Sequence, residues 1–268
     1  MESEQKMLSI LTGAGIVEPT VWCGVAKEME RFFAEAAGQK LDIFIVLGGD
    51  GTIRRGAEAC SESSPYLIAL PGGTMNVLPR ALYGDLSWED ALKNTLAAPS
   101  AKMLSGARVA NKQFFVAAIV GAPALWVQAR ESVREGDILD VIERGSVALQ
   151  NMFETKVRYR MSEQINGEAE AVVLICPLVS EEMSGSEQAL EAAVVDVENA
   201  AEVIRLATAA AFGKWRDDRK ILLTKTKRLA VQSNNEIPAT LDGESVNLGT
   251  RAEIDFVSRA LTVLVPAK

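Results

Sequence analysis

The run Gly48-Gly49-Asp50-Gly51-Thr52 holds glycines that let backbone N–H groups approach an anion, a threonine hydroxyl, and a carboxylate. Followed by a helix, such a loop is a phosphate site. A carboxylate beside phosphates is repulsive unless it holds a divalent cation or accepts a proton, so Asp50 points to Mg²⁺-assisted phosphoryl chemistry. The run is not GxxxxGK[ST], and a GxGxxG begun at Gly49 would put Arg54 in place of its third glycine. It is therefore neither a Walker A loop nor a dinucleotide fingerprint. Taken alone, it could also be a plain turn joining a strand to a helix.

A second loop, Pro71-Gly72-Gly73-Thr74-Met75-Asn76, follows about one βα unit later. Each loop is preceded by an apolar run of strand character, Asp42–Leu47 for the first and Tyr66–Leu70 for the second. In a parallel sheet both loops leave at the same edge, where ligands bind, so the pair is predicted to hold one triphosphate between them. A helix is expected to begin near Ile53.

The elements that must position these loops alternate. Amphipathic helices are predicted near Glu4–Leu11, Ala26–Ala37 and Ser87–Leu96, and together with the two strands they describe a parallel α/β layer that ends at Ala97-Ala98-Pro99-Ser100. Beyond it the texture becomes antiparallel. Ala107–Val109 and Phe114–Ala118 flank Ala110-Asn111-Lys112-Gln113 as a hairpin, and Lys156–Met161 runs toward a turn at Gln164-Ile165-Asn166-Gly167. Further strands are expected at Ala171–Cys176, Ile221–Thr224, Arg228–Gln232, Glu253–Val257 and Leu261–Val265, with helices near Asp137–Phe153 and Glu198–Phe212.

Composition narrows the chemistry. The 268 residues contain no histidine, which removes Ser-His and Cys-His nucleophiles, imidazole acid-base catalysis and His-ligated metals, and leaves proton transfer to carboxylates. Cys23, Cys60 and Cys176 are far apart with no CxxC spacing and read as reduced packing residues. A net charge of −8 argues against nucleic acid as a partner. No apolar run is long enough to span a bilayer and the start is too polar for a signal peptide, so a cytoplasmic protein is expected.

Gly48–Thr52 followed by Pro71-Gly72-Gly73-Thr74-Met75-Asn76-Val77-Leu78-Pro79-Arg80-Ala81-Leu82 resembles the catalytic-domain signature of diacylglycerol kinases and bacterial lipid kinases. NAD kinases and phosphofructokinases share the first loop, but the second is closer to the lipid kinases. Leu241-Asp242-Gly243-Glu244 is similar to the Asp-Gly-Glu element of the same family, although Asp-Gly is also an ordinary type I′ hairpin turn. Thr20, with Gly24 and Ala26, resembles a further segment of the nucleotide pocket.

The resemblance implies a nucleotide-binding α/β domain over residues 1–103 that regains 260–268 as an extra strand. It also implies a β-sandwich over 104–259 and a catalytic cleft between them. By the same token Gly48, Gly49, Asp50, Gly51, Thr52, Gly73, Thr74, Asn76 and Thr20 bind ATP, Asp50 organises Mg²⁺, and Asp242 and Glu244 are catalytic, with Glu244 as general base. The implied reaction is phosphorylation of a hydroxyl on diacylglycerol or a related lipid. Alternatives are a noncatalytic nucleotide-binding relative and a soluble-substrate kinase of NAD-kinase type. The expected partners are a lipid at the inner face of a membrane and a second copy of the chain.

The sequence departs from the family in three places. No Asn-Pro-x-x-Gly turn precedes Gly13, so either the recorded start is internal or the member lacks that strand. Leu104-Ser105-Gly106-Ala107 stands where the family carries Asp-Leu-Gly, and Ala192-Ala193-Val194-Val195-Asp196 where bacterial members hold a structural Mg²⁺; that metal site is not expected here. The densest basic run, Lys214, Arg216, Arg219, Lys220, Lys225, Lys227 and Arg228, suits either anionic headgroups or a solvated helix end and edge strand.

Overall fold

The computed structural model describes residues 2–24, 26–63, 65–121, 156–183, 187–196 and 215–267. The helices expected at Asp137–Phe153 and Glu198–Phe212 and the side chain of Lys214 lie outside them. The chain divides into two compact units, Met1–Ser105 with Ser258–Lys268, and Gly106–Val257.

The first unit contains helix α1 (Glu2–Gly13), helix α2 (Ala26–Ala37), strand β1 (Ile43–Gly48), helix α3 (Asp50–Ser63), strand β2 (Tyr66–Pro71), helix α4 (Val77–Tyr83) and helix α5 (Trp88–Ala97). Strands β1 and β2 are parallel, in a register that sets Ile43 beside Tyr66 and Gly48 beside Pro71. This register carries both glycine loops to the same sheet edge. On its other side β2 pairs in parallel with residue Val263 of β14 (Arg251–Pro266). Helices α3, α4 and α5 pack on β2, which accordingly reads as a continuous apolar run, and Leu67, Ile68, Ala69 and Leu70 are fully buried.

One face of this layer packs Ile68 and Leu70 against Met7 and Leu11 of α1, Ala91 and Leu92 of α5, and Tyr83 and Leu264. Each such large side chain removed from water contributes roughly 1.5–3 kcal/mol. The Tyr83 hydroxyl donates to the buried Leu264 carbonyl at 3.1 Å, so α4 is tied to β14 by a polar bond as well as by packing. Helix α5 starts at Ser87, whose Oγ accepts from the Asp90 N–H at 3.1 Å and thereby satisfies one of the donors that helical geometry leaves over.

The second unit is antiparallel. After β3 (Pro99–Val109) come β4 (Lys112–Phe114), β5 (Ala117–Gly121), β6 (Val157–Arg160), β7 (Asn166–Ala169), β8 (Ala171–Ile175), β9 (Leu190–Val195), β10 (Ile221–Thr226), β11 (Arg228–Gln232), β12 (Pro238–Leu241) and β13 (Glu244–Asn247). Six strands form a sheet in the order β10-β9-β8-β5-β12-β13. Strands β7, β6, β11 and the first part of β14 pair antiparallel in the other layer. Side chains of both layers meet in one core, which includes Phe114, Val120, Leu174, Leu190, Leu229, Leu241 and Ile254. The architecture is an α/β part with parallel strands and a separate antiparallel sheet part.

Several elements differ from the sequence expectation. Helix α3 begins at Asp50 rather than near Ile53, which places Asp50, Gly51 and Thr52 in its first turn. The runs expected at Glu253–Val257 and Leu261–Val265 are one strand, because Ser258 and Arg259 stay extended while exposed. Pro99 opens strand β3 instead of ending a layer. Asn166 and Gly167 belong to β7, and the reversal is made upstream, where the Met161 N–H donates to the Ile165 carbonyl. Of the cysteines, Cys60 and Cys176 are buried, whereas Cys23 is exposed.

Candidate functional site

The two glycine loops are packed backbone to backbone. The Gly72 N–H donates to the Gly48 carbonyl at 2.9 Å, extending the β1–β2 ladder by one rung into the loops. A Cβ on Gly73 would lie 2.5 Å from the Gly49 Cα, and one on Gly72 would lie 2.9 Å from the Gly48 nitrogen. Gly72 and Gly73 are therefore required by the opposite loop, since a side chain on either would hold the loops apart. Gly48 is crowded from its own side as well, because its missing Cβ would meet the Thr52 Cβ at 2.7 Å.

Asn76 closes the second loop on itself. Its Oδ1 accepts from the Gly73 N–H and its Nδ2 donates to the Gly73 carbonyl, both at 2.8 Å. The residue adopts the left-handed conformation (φ 50°, ψ 44°), which asparagine tolerates better than most residues, and α4 starts directly after it. The loop tip, Gly72 to Met75, is exposed.

Asp50 joins the loops from the other side. Its Oδ1 accepts from the Leu78 N–H in the first turn of α4, 28 residues away, at 3.2 Å. The first bond of α3 runs from the Ile53 N–H to the Gly49 carbonyl, so the amides of Asp50, Gly51 and Thr52 precede the helical ladder. The amides of this helix N-terminus and the threonine hydroxyl are the donor types that would suit a phosphate. Among the described residues no three carboxylate or thiol side chains cluster as a metal cage. A single carboxylate suits Mg²⁺, which keeps its waters and is held mainly by the phosphates it accompanies. Asp50 would contribute its second oxygen.

Asp242 and Glu244 lie in the second unit. Asp242 and Gly243 make the two-residue turn between β12 and β13, with Leu241 facing Glu244 across it. Both turn residues have positive φ, 48° and 86°, as a type I′ turn requires. Asp242 is buried, and its carboxylate accepts the Phe115 N–H at 2.8 Å, the Val116 N–H at 2.9 Å and the Ala117 N–H at 3.0 Å. Burial, and after it the charge of Asp242, push the Cys176 thiol well above its ordinary range. Glu244 is half-buried at the first position of β13.

Other residues singled out from the sequence are placed as follows. Thr20 is exposed in the connection between α1 and α2. Leu104-Ser105-Gly106-Ala107 lies within β3, and the hydroxyl of Ser105 is buried without a hydrogen-bond partner. Asp196, at the end of β9, receives Lys156 Nζ at 2.8 Å; the same ammonium lies 3.9 Å from the buried Glu170. A tethered cation thus stands beside Asp196.

Three residues of the basic run are paired with carboxylates. Arg216 pairs with Glu191 at 2.8 Å and Glu181 at 2.9 Å, Lys225 with Glu187 at 2.8 Å, and Arg228 with Asp255 at 2.6 Å. That pairing weakens the reading of this surface as a headgroup patch. The sequence reading missed β9 and the buried Glu191 within it, which Ser180 and Arg216 hold.

Comparison with known proteins agrees with the geometry. A diacylglycerol kinase of Bacillus subtilis (strain 168) is 27% identical over 230 residues, spanning 78% of this chain and 73% of that protein. A crystal structure of a diacylglycerol kinase from Bacillus anthracis str. Sterne superposes with a TM-score of 0.69 at 20% identity, covering 97% of this chain and 90% of the other. Another crystal structure from the same organism gives 0.72 over the same shares. The family model of the diacylglycerol kinase catalytic domain matches residues 3–106, the segment holding both glycine loops, Asp50 and Asn76. Residues 3–106 thus match the diacylglycerol kinase catalytic domain, and the chain is similar to a diacylglycerol kinase over most of its length.

Proposed function

We propose that the protein is an ATP- and Mg²⁺-dependent kinase that phosphorylates a hydroxyl of diacylglycerol or a related lipid at a membrane surface. The observation that carries this reading is the double loop itself. Gly48–Thr52 and Gly72–Asn76 are locked into one backbone surface at a sheet edge, with a carboxylate and a helix N-terminus in it. Phosphoryl transfer asks mainly for positioning and charge stabilisation, and such a rigid surface supplies both.

In this reading the α3 amides, Thr52, Gly73, Thr74 and Asn76 hold the nucleotide, with Thr20 as a further contact, and Asp50 organises Mg²⁺. Mg²⁺ supplies charge neutralisation on the phosphates when bound. Glu244 has the general-base role that the Asp-Gly-Glu resemblance implies, taking the proton of the acceptor hydroxyl. The test is transfer of labelled phosphate from ATP into a total lipid extract, with the product identified by mass spectrometry. Wild-type protein should label a lipid, Asp50→Ala and Glu244→Ala should not, and undiminished labelling by both variants would overturn the assignment.

A second reading, a nucleotide-binding protein without transfer activity, is favoured by one observation. Two polar elements of the family are replaced here by Ser105 within a strand and by an Asp196 already paired to Lys156. Calorimetric nucleotide binding with no labelled product from any lipid would select it.

A further inference from the structure

Asp242 is tied to its surroundings by more than the turn it starts. Its own N–H donates to the Ala117 carbonyl at 2.9 Å, while its carboxylate collects the amides of Phe115, Val116 and Ala117. These three consecutive amides span the passage from β4 into β5, more than 120 residues away in sequence. Strand β12 already pairs with β5 at Leu241 and Ala118, so the carboxylate fastens the tip of one hairpin to the start of its neighbour. A carboxylate is acceptor-only, and bonds from several N–H donors are of the strong, charge-assisted kind.

We propose that Asp242 is a positioning residue that fixes Glu244, and that it is not itself a proton carrier. Glu244 is the residue that faces Leu241 across the turn, two positions from the anchor. Any rotation of the turn would swing its carboxylate. Asp242 is 7% exposed, and protonating it would give up a bond to a buried amide. The inference rests on the reading of Glu244 as base, so its test separates the two.

The decisive variant is Asp242→Asn. Asparagine accepts the left-handed conformation, so the turn survives, but its NH₂ group replaces one acceptor oxygen and faces N–H donors. Amide exchange should accelerate at least about tenfold at Phe115, or at Val116 and Ala117, according to which oxygen the NH₂ replaces, as a lost bond of about 1.4 kcal/mol would give. The kcat for lipid phosphorylation should fall roughly 10- to 100-fold while KM for ATP and the shape of the pH profile stay unchanged. Glu244→Gln should remove turnover and leave exchange at residues 115–117 as in the wild type.

Unchanged exchange in Asp242→Asn would overturn the proposal. So would loss of turnover together with an altered pH profile, which would make Asp242 a catalytic group. If Asp242→Asn does not fold, wild-type exchange decides, since an unprotected Val116 amide would overturn the anchor. Absence of turnover in wild-type protein with residues 115–117 protected would defeat the kinase reading and retain the anchor.

Discussion

Replacing Gly73 by alanine tests whether the two loops act as one surface. The new methyl would be built 2.5 Å from the Gly49 Cα and 3.2 Å from the Gly49 nitrogen, both backbone atoms that cannot rotate away. Carbon atoms rest about 3.5–4.0 Å apart, so the loops must separate by about 1–1.5 Å. Overpacking of this kind costs about 1–3 kcal/mol, or roughly 2–12 °C in Tm for a protein of this size. A displacement near 1 Å in a positioned site costs about 100-fold in rate.

The mirror substitution, Gly49→Ala, places its methyl 3.5 Å from the Gly73 Cα, an ordinary contact. It should leave Tm within about 1 °C, as a substitution without a named destabilising mechanism does. Thermal unfolding of both variants, with labelled-ATP transfer by Gly73→Ala, measures the asymmetry. Wild-type stability and turnover in Gly73→Ala, or an equal loss of Tm in Gly49→Ala, would refute the account of the glycines as a loop–loop contact.

Other outcomes follow from the same geometry. Asp50→Asn keeps an oxygen for the Leu78 N–H but loses the charge, so unfolding free energy should hold within about 1 kcal/mol while Mg²⁺-dependent turnover falls at least about tenfold; circular dichroism and the transfer assay separate the two. Burial holds the Glu170 carboxyl above its ordinary value of 4.5, with Lys156 opposing and Asp196 adding to the effect. The folded state therefore binds that proton more tightly, and the stability this contributes is full below pH 4.5 and lost as pH rises through the folded value. Glu170→Gln should match wild type in denaturant unfolding near pH 4 and gain on it at higher pH; a gain confined to acid would contradict this. Burial pushes the Cys60 thiol up to about 12 and Cys176 up as well, so a native thiol titration should find one reactive group, Cys23, and the denatured protein three.

The parts legible in sequence were those written in neighbouring residues. Strand, glycine loop and helix follow one another within Asp42–Ser63, and Asp242-Gly243 announces its turn through backbone preference alone. What could not be read was what those residues reach for. The Asp50 bond to Leu78 spans 28 positions and the Asp242 bonds more than 120, and no local pattern encodes them. Strand β9, Leu-Glu-Ala-Ala-Val-Val, lacks alternation because both its faces are buried, and its one charged residue meets Arg216 and Ser180 from elsewhere in the chain. Ser258 and Arg259 looked like a break because polarity on an exposed stretch of strand resembles the polarity of a loop. Asn76 was recognisable, but as a ligand contact rather than as the clasp of its own loop.

Strand β14 also sets an order of events in biosynthesis. The unit that holds the glycine loops takes its third parallel strand from residues 258–268, across more than 150 intervening positions. A ribosome adding about 5–20 residues per second needs on the order of 10 s or more to supply that strand after Ser105 has emerged. Until then β2 has an open edge, Tyr83 lacks the Leu264 carbonyl, and the glycine loops rest on a two-stranded base. On the proposed function, truncation before residue 258 should therefore remove ATP binding even though neither loop is touched.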